Sequence, residues 1–251
     1  MPEVKPLRRG YRSALRDQQA AATRQAVLGA ARELFLAQGY GATTVEQIAE
    51  RAGVSKPTVF SAVGSKQAVL AAVRDVALAG DDLPVAIAER APFQAVLAEP
   101  DPYQAIMLMV GHLTDLWGRY ALIREVLRGA ASSGEPALRG LWDLSEQQRL
   151  TASRTFVAAL ARKGPLRGGL DHDTAAEITW VHISPGSYLD LVIHRGWTQT
   201  AYQHWLAATL TAALLPPQIV PSQDPPSQSR NSRDSQAQPA PDSNHAHQER
   251  K

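Results

Sequence analysis

The chain has 251 residues, of which 44% are hydrophobic and 20% charged, enough apolar material for a sizeable core in about one to two domains. It contains no cysteine, which excludes a disulfide framework, a thiolate nucleophile and any cysteine-held zinc or iron–sulfur centre. The net charge of +2 conceals a gradient: residues 1–79 hold 11 Lys and Arg against 6 Asp and Glu, residues 80–215 hold 11 against 14, and the rest 4 against 4.

A basic N-terminal part on an acidic remainder suggests a polyanion-binding module joined to something with another task. Residues 1–20 carry Lys5, Arg8, Arg9, Arg12 and Arg16 ahead of any expected helix and read as a flexible basic arm. They lack the apolar run of a secretory signal. No stretch of the chain reaches the roughly 18 uninterrupted apolar residues of a membrane span, so a soluble, cytoplasmic protein is expected.

Strand signals are missing and Ala and Leu dominate, so residues 21–215 read as helix nearly throughout. Val27, Ala31, Leu34 and Phe35 share one face of a first helix from about Thr23 to Gln38, stopped by Gly39. Thr44 and Gln47 form a capping box for a short second helix with Val45, Ile48, Ala49 and Ala52 inward. After Gly53, Ser55 caps a third helix with Pro57 in its first turn, running to about Val63. Ser65 caps a fourth, with Val69, Leu70 and Val73 inward. Pro84, Pro92 and Pro100 break the next stretch into short helices. Longer helices are expected at about Pro102–Trp117, Arg119–Ala130, Pro136–Arg162, Thr174–His194 (kinked at Pro185-Gly186, with Thr174 and Glu177 as its capping box) and Thr198–Leu214. Residues 216–251 hold 7 Pro, 6 Ser and 6 Gln and no aromatic residue, a composition that does not fold. His245 and His247 in this tail read as solvated polar residues rather than metal ligands.

Two short helices joined at Gly53 have the spacing of a helix-turn-helix, with an αα-hairpin within an ordinary helical domain as the alternative. The polar residues favour DNA. Thr43 and Thr44 at one helix N-terminus and Ser55 at the next offer hydroxyls and free N–H groups suited to phosphate. Lys56, Thr58 and Ser61 face outward, Val54, Val59 and Val63 hold the helix to its domain, and Lys66 adds a phosphate contact.

The run from Arg24 to Leu70 resembles the N-terminal domain of TetR-family transcriptional regulators. The resemblance rests on Ala31, Leu34 and Phe35; Gly39-Tyr40; Thr43-Thr44-Val45; Ile48-Ala49; Ala52-Gly53-Val54-Ser55; Phe60; and Ser65-Lys66. It implies that the third helix enters the major groove and the fourth links it to an effector domain. It assigns Thr44, Thr58 and Lys66 to phosphate and Lys56 to a base or phosphate, with Pro57 and Val59 reaching thymine methyls. Four positions depart from the family pattern. Phe60 replaces the commoner Tyr, Ser61 and Ala62 stand where larger side chains are frequent, and Glu46 occupies a site often basic.

Farther on, Ser184-Pro185, Tyr188-Leu189, Arg195-Gly196-Trp197-Thr198, Tyr202 and Trp205-Leu206 are similar to a large TetR subgroup. There the last two long helices pair with their counterparts in a dimer. Tyr188, Tyr202, Leu206, Leu210 and Leu214 are the interface residues this implies, although the stripe Leu206, Leu210, Ala213, Leu214 packs equally well inside one chain. A dimer also matches a palindromic operator. The resemblance further implies a ligand pocket within residues 102–194, with Tyr103, Met107, His112, Trp117, Trp142, Phe156, Trp180 and His182 as candidate lining. Such a set at helical spacing is more often plain core, and His112 and His182 read as satisfied polar groups rather than metal ligands.

Asp171-His172-Asp173 is the densest acid–His cluster and sits at a helix start, where acids suit the dipole. No Gly-rich phosphate loop, HExxH or nucleophile elbow occurs, so no catalysis, cofactor or metal is expected. The expected protein is all-α: a basic arm (1–20), a helix-turn-helix DNA-binding domain (21–79), a helical effector-binding and dimerisation domain (80–215) and a disordered tail (216–251). The expected function is a dimeric repressor released from a palindromic operator by a small-molecule effector. The alternative is a DNA-binding dimer with no small-molecule effector, controlled by abundance or a protein partner.

Overall fold

The computed structural model describes residues 8–217, with side chains from residue 15 onward. Lys5 of the basic arm and the Pro/Ser/Gln-rich tail from residue 218, with His245 and His247, lie outside the described residues.

Every element among the described residues is helical. α1 spans Arg8–Ala42, and Gly39 interrupts its helical geometry at φ 78° and ψ 169°, in the place expected for the helix stop. The start differs from expectation: Arg8, Arg9, Arg12 and Arg16 are helical rather than part of a loose arm. The Ala- and Gln-rich run from Gln18 to Ala22 supplies helix formers that carry the helix N-terminally past Thr23. α2 (Val45–Ala52), α3 (Lys56–Ala62) and α4 (Lys66–Ala79) follow. A 3-10 turn at Ile87–Glu89 and α5 (Ala91–Ala98) fill the proline-broken stretch.

α6 runs unbroken from Pro102 to Ala131, where two helices separated at Gly118 were expected. A helical glycine costs about 1 kcal/mol. Against that, Ile106, Met109, Val110, Leu113, Leu116, Trp117, Ile123 and Leu127 are all buried on this one helix, at roughly 1.5–3 kcal/mol each. Burial wins by an order of magnitude. α6 is therefore the central rod, packed against α1, α4, α5, α7, α9 and α10.

α7 (Pro136–Ala161) packs on α6 and on α8 (His172–His182). The cap of α8 is Asp171, not Thr174: its carboxylate accepts from the Thr174 N–H at 2.9 Å and hydroxyl at 2.7 Å. These two bonds hold the Asp171 carboxyl below the usual carboxylate range. Pro185 interrupts the following stretch as expected. Ser184 caps the short α9 (Pro185–Tyr188), which runs into a π-helical turn at Leu189–His194. α10 (Gln199–Leu214) begins at its Thr198 cap.

Candidate nucleic-acid interface and ligand cavity

Local chemistry builds the two-helix unit. The Thr44 hydroxyl accepts from the Gln47 N–H at 3.2 Å, and the Gln47 side chain accepts from the Thr44 N–H at 2.9 Å; this is the capping box read from the sequence. Gly53 ends α2 in the left-handed region at φ 68° and ψ 30°, where a β-carbon would be strained. Ser55 then caps α3 by accepting from the Thr58 N–H at 3.3 Å, and its hydroxyl bonds that of Thr58 at 2.7 Å. With Val45, Ile48, Ala49 and Val59 buried, the opposite face presents Thr44, Ser55, Lys56, Pro57, Phe60 and Ser61 to solvent, with Thr58 half-buried. Phe60, 47% exposed, is the large apolar side chain of that face.

Three residues expected at the DNA engage other parts of the chain instead of standing free on that face. Thr43 is fully buried and its hydroxyl donates to the Gly39 carbonyl at 2.8 Å, closing the turn after α1. Val59 is fully buried, so it anchors α3 and presents no methyl to a base. The Lys66 ammonium donates to the Tyr40 carbonyl at 3.0 Å and the Thr43 carbonyl at 2.9 Å, and lies 4.1 Å from the centre of the Tyr40 ring. A lysine in that position satisfies the carbonyls of the α1–α2 turn. Burial, with the charge of Glu135, pushes the Tyr40 phenol up to about 12.

Two cations on or beside this face, Lys56 and Arg51, are paired with carboxylates of the same chain. Lys56 donates to Glu46 across α2 and α3, and this hydrogen bond holds the Glu46 carboxyl below its usual range. Arg51 pairs with Glu33 at 2.9 Å. Arg24 is a connector: it donates to the Ala62 carbonyl at the end of α3 (3.2 Å) and pairs with Asp82 beyond α4 (2.6 Å).

α4 continues into the second half of the molecule, where it meets α6 and α7 around a cavity of about 130 Å3. Its wall includes Arg74 and Leu78 of α4, Phe93 of α5, and residues of α6 and α7 from Met109 to Ala152. Arg74, Leu78, Phe93 and Gln148 also border a wider groove of about 620 Å3 reaching Asp81 and Asp82.

Of the eight side chains expected to line a pocket, His112 and Trp117 do so. Burial and the Arg119 charge push His112 down, against a smaller upward pull from Asp115. Met107 faces outward on α6, and Phe156 is core of α7. The Tyr103 hydroxyl donates to the Pro216 carbonyl at 3.3 Å, and His182 Nδ1 donates to the Ile178 carbonyl at 2.7 Å. Trp142 and Trp180 sit one layer out: Arg124 lies over the first ring at 4.5 Å and Arg149 over the second at 4.3 Å. Those two arginines and Arg74, with Glu146, are the charged cavity residues that sequence reasoning missed. Burial pulls Arg149 below the ordinary arginine range, against Glu146, which raises it.

The five side chains expected at a dimer interface are all buried within the single chain. The Tyr188 and Tyr202 rings meet edge-on at 5.3 Å, and Gln199 donates to the Tyr188 hydroxyl at 3.1 Å. The apolar stripe of α10 is therefore monomer core, and α8 and α10 present a different face outward: Val181, Ala201, His204, Ala208 and Ala212. Among the described residues no three His, Asp or Glu side chains gather to hold a metal ion, and no helix is long and apolar enough to cross a membrane.

The sequence model of bacterial regulatory proteins of the tetR family matches residues 27–73, from the core of α1 to the middle of α4. An uncharacterized HTH-type transcriptional regulator of Bacillus subtilis (strain 168), YdeS, is 30% identical over 165 residues, covering 63% of this chain and 74% of its own. The transcriptional regulator FadR from Bacillus subtilis, solved in complex with stearoyl-CoA, superposes with a TM-score of 0.61 at 16% identity, over 75% of this chain and 98% of its own. NalD of Pseudomonas aeruginosa, the secondary repressor of the MexAB-OprM multidrug efflux pump, gives 0.57 at 21% identity, over 79% of this chain and 98% of its own. At such identities the two structures speak for the fold. Together with the capped helix-turn-helix and the relative's extended match, they lead to one conclusion: this chain belongs to the TetR family of bacterial transcriptional regulators.

Proposed function

We propose that the protein is a homodimeric repressor that holds a palindromic operator through two copies of α3 and lets go when a small molecule enters the cavity at α4. The observation that carries this reading is the course of α4. One helix of 14 residues starts at the Ser65 cap just after α3 and delivers Arg74 and Leu78 to the cavity wall. Arg24 supplies a second tie, from the Ala62 carbonyl to Asp82 on the groove. A ligand that prefers one placement of α4 therefore changes the spacing of two α3 helices that must meet the duplex about 34 Å apart.

Thr44, Ser55, Lys56, Pro57, Thr58, Phe60 and Ser61 form the reading surface of this proposal, in a head domain reaching about residue 79. The second copy sits on the outward face of α8 and α10. The setting is the cytoplasm, at the nucleoid. FadR's stearoyl-CoA supports an effector in this fold, and NalD's role as a repressor supports the sign of the output.

Selection of bound duplexes from a random pool tests the first half: an enriched palindrome is the expected result, and no enrichment at low ionic strength refutes it. A compound library read by both thermal shift and DNA release tests the second. Flat responses throughout would favour the effector-free regulator.

A further inference from the structure

Arg74 occupies a position that α4 otherwise reserves for core: Leu70, Val73, Arg74 and Ala77 form one buried stripe. Its side chain is 6% exposed and lines the cavity. One Nη donates to the Gln148 side-chain carbonyl at 2.5 Å, the carboxylate beside it is the largely solvated Asp75 at 3.5 Å, and its Nε has no acceptor in the protein.

Arg124 and Arg149 line the same cavity and share Glu146, at 3.0 and 2.6 Å. The Nε of each is likewise buried without an acceptor, as is the indole N–H of Trp117 on the same wall. Arg124 also reaches Glu125 at 3.3 Å, but that carboxylate is held by Arg128 at 2.6 Å. The wall thus carries three guanidiniums against the one carboxylate of Glu146.

Arginine does not relieve burial by losing its proton, so the cavity keeps a standing positive potential that repels a cationic guest. A guanidinium fork matches a carboxylate in two parallel hydrogen bonds. Apart from His112, Tyr120, Ser145 and Gln148 the remaining wall is apolar, with Phe93, Met109, Leu113 and Leu116, a surface on which a bare inorganic anion has nothing to bury.

We propose that the effector is an organic carboxylate with an apolar body, its carboxylate seated on Arg74 with Arg124 and Arg149. This rests on the reading of the cavity as the effector site, and it explains transmission as well. Neutralising Arg74 acts directly on α4, the helix that follows the DNA-reading one.

The test is calorimetric titration and thermal shift of the full chain with straight-chain carboxylates from butanoate to hexadecanoate and with 1-naphthoate, each beside its matched alcohol and amine. At least one carboxylate binds about tenfold or more tightly than both counterparts. Arg74→Gln removes that preference and Arg74→Lys restores part of it. Should Arg74→Gln fail to fold, the matched comparison on the unaltered chain decides by itself. An alcohol or amine that binds as tightly as its carboxylate, and also releases DNA, overturns the head-group assignment and leaves the effector site standing. Binding by none of the compounds overturns the assignment, and silence of the wider library in the release assay then takes the effector site with it.

Discussion

Lys66→Met separates a structural lysine from a phosphate-binding one. The substitution keeps most of the aliphatic stem and removes the ammonium that bridges the Tyr40 and Thr43 carbonyls at 3.0 and 2.9 Å over the Tyr40 ring. A hydrogen bond to a charged group is worth about 1.5–3 kcal/mol when buried. Lys66 is half-buried, so water takes over part of that role and about 1 kcal/mol per bond is reasonable. The ring contact adds about 0.5–1 kcal/mol. The sum, about 2–3 kcal/mol, lowers the melting temperature by about 5–10 °C for a chain of this size. Calorimetric melting reads that fall, and DNA titrations at several salt concentrations keep an unchanged slope. A melting temperature steady to about 1 °C, with a salt slope shallower by about one unit, would refute the reasoning and return Lys66 to a phosphate.

Glu46→Gln unmasks Lys56 and removes an acid from the proposed reading surface; binding to any duplex tightens several-fold and the salt slope steepens by about one, and unchanged titrations would contradict this. Leu210→Ala costs about 2–5 kcal/mol of folding stability because the side chain is fully buried in one chain. Ala208→Arg on the exposed face of α10 instead shifts sedimentation toward the monomer with little change in melting, and the reverse pattern would put the dimer contact on the buried stripe. His112 is pushed down from its ordinary 6.5 chiefly by burial, so below about pH 6.5 this imidazole binds fewer protons in the folded chain than in the unfolded one. Stability therefore declines as pH drops through that window, and His112→Gln flattens the decline in urea melts at pH 5–7; equal slopes for both proteins would show that His112 is not responsible.

The helix-turn-helix was legible because its signals are local: Thr44 with Gln47, Ser55 and Ser65 each declare a helix start within four residues. What escaped depends on distant partners. Nothing near Lys66 in sequence reveals that Tyr40 and Thr43 lie under it, and nothing near Thr43 shows its hydroxyl turning back to Gly39. The cavity charges lie on α4, α6 and α7, separated by dozens of residues, and a search for aromatic and Met side chains passed over them. A signal existed nonetheless. Arg74 interrupts the stripe Leu70, Val73, Ala77, and Arg124 interrupts Tyr120, Ile123, Leu127. A cation at an apolar register position marks a buried charge that needs a partner. The α10 stripe misled for the opposite reason, since its pattern is the same whether the covering surface comes from the same chain or another.

If α3 reads DNA as proposed, the Glu46 carboxylate on Lys56 bears on how the molecule finds its target in a chromosome. A bare lysine there would favour every stretch of duplex alike, and the millions of wrong addresses outnumber the right one. With its own counterion in place, the lysine lends less grip to random sequence, so visits there are shorter. On that reading its charge is released only where the surrounding contacts compensate for breaking the pair, which would turn a cost in raw affinity into a shorter search.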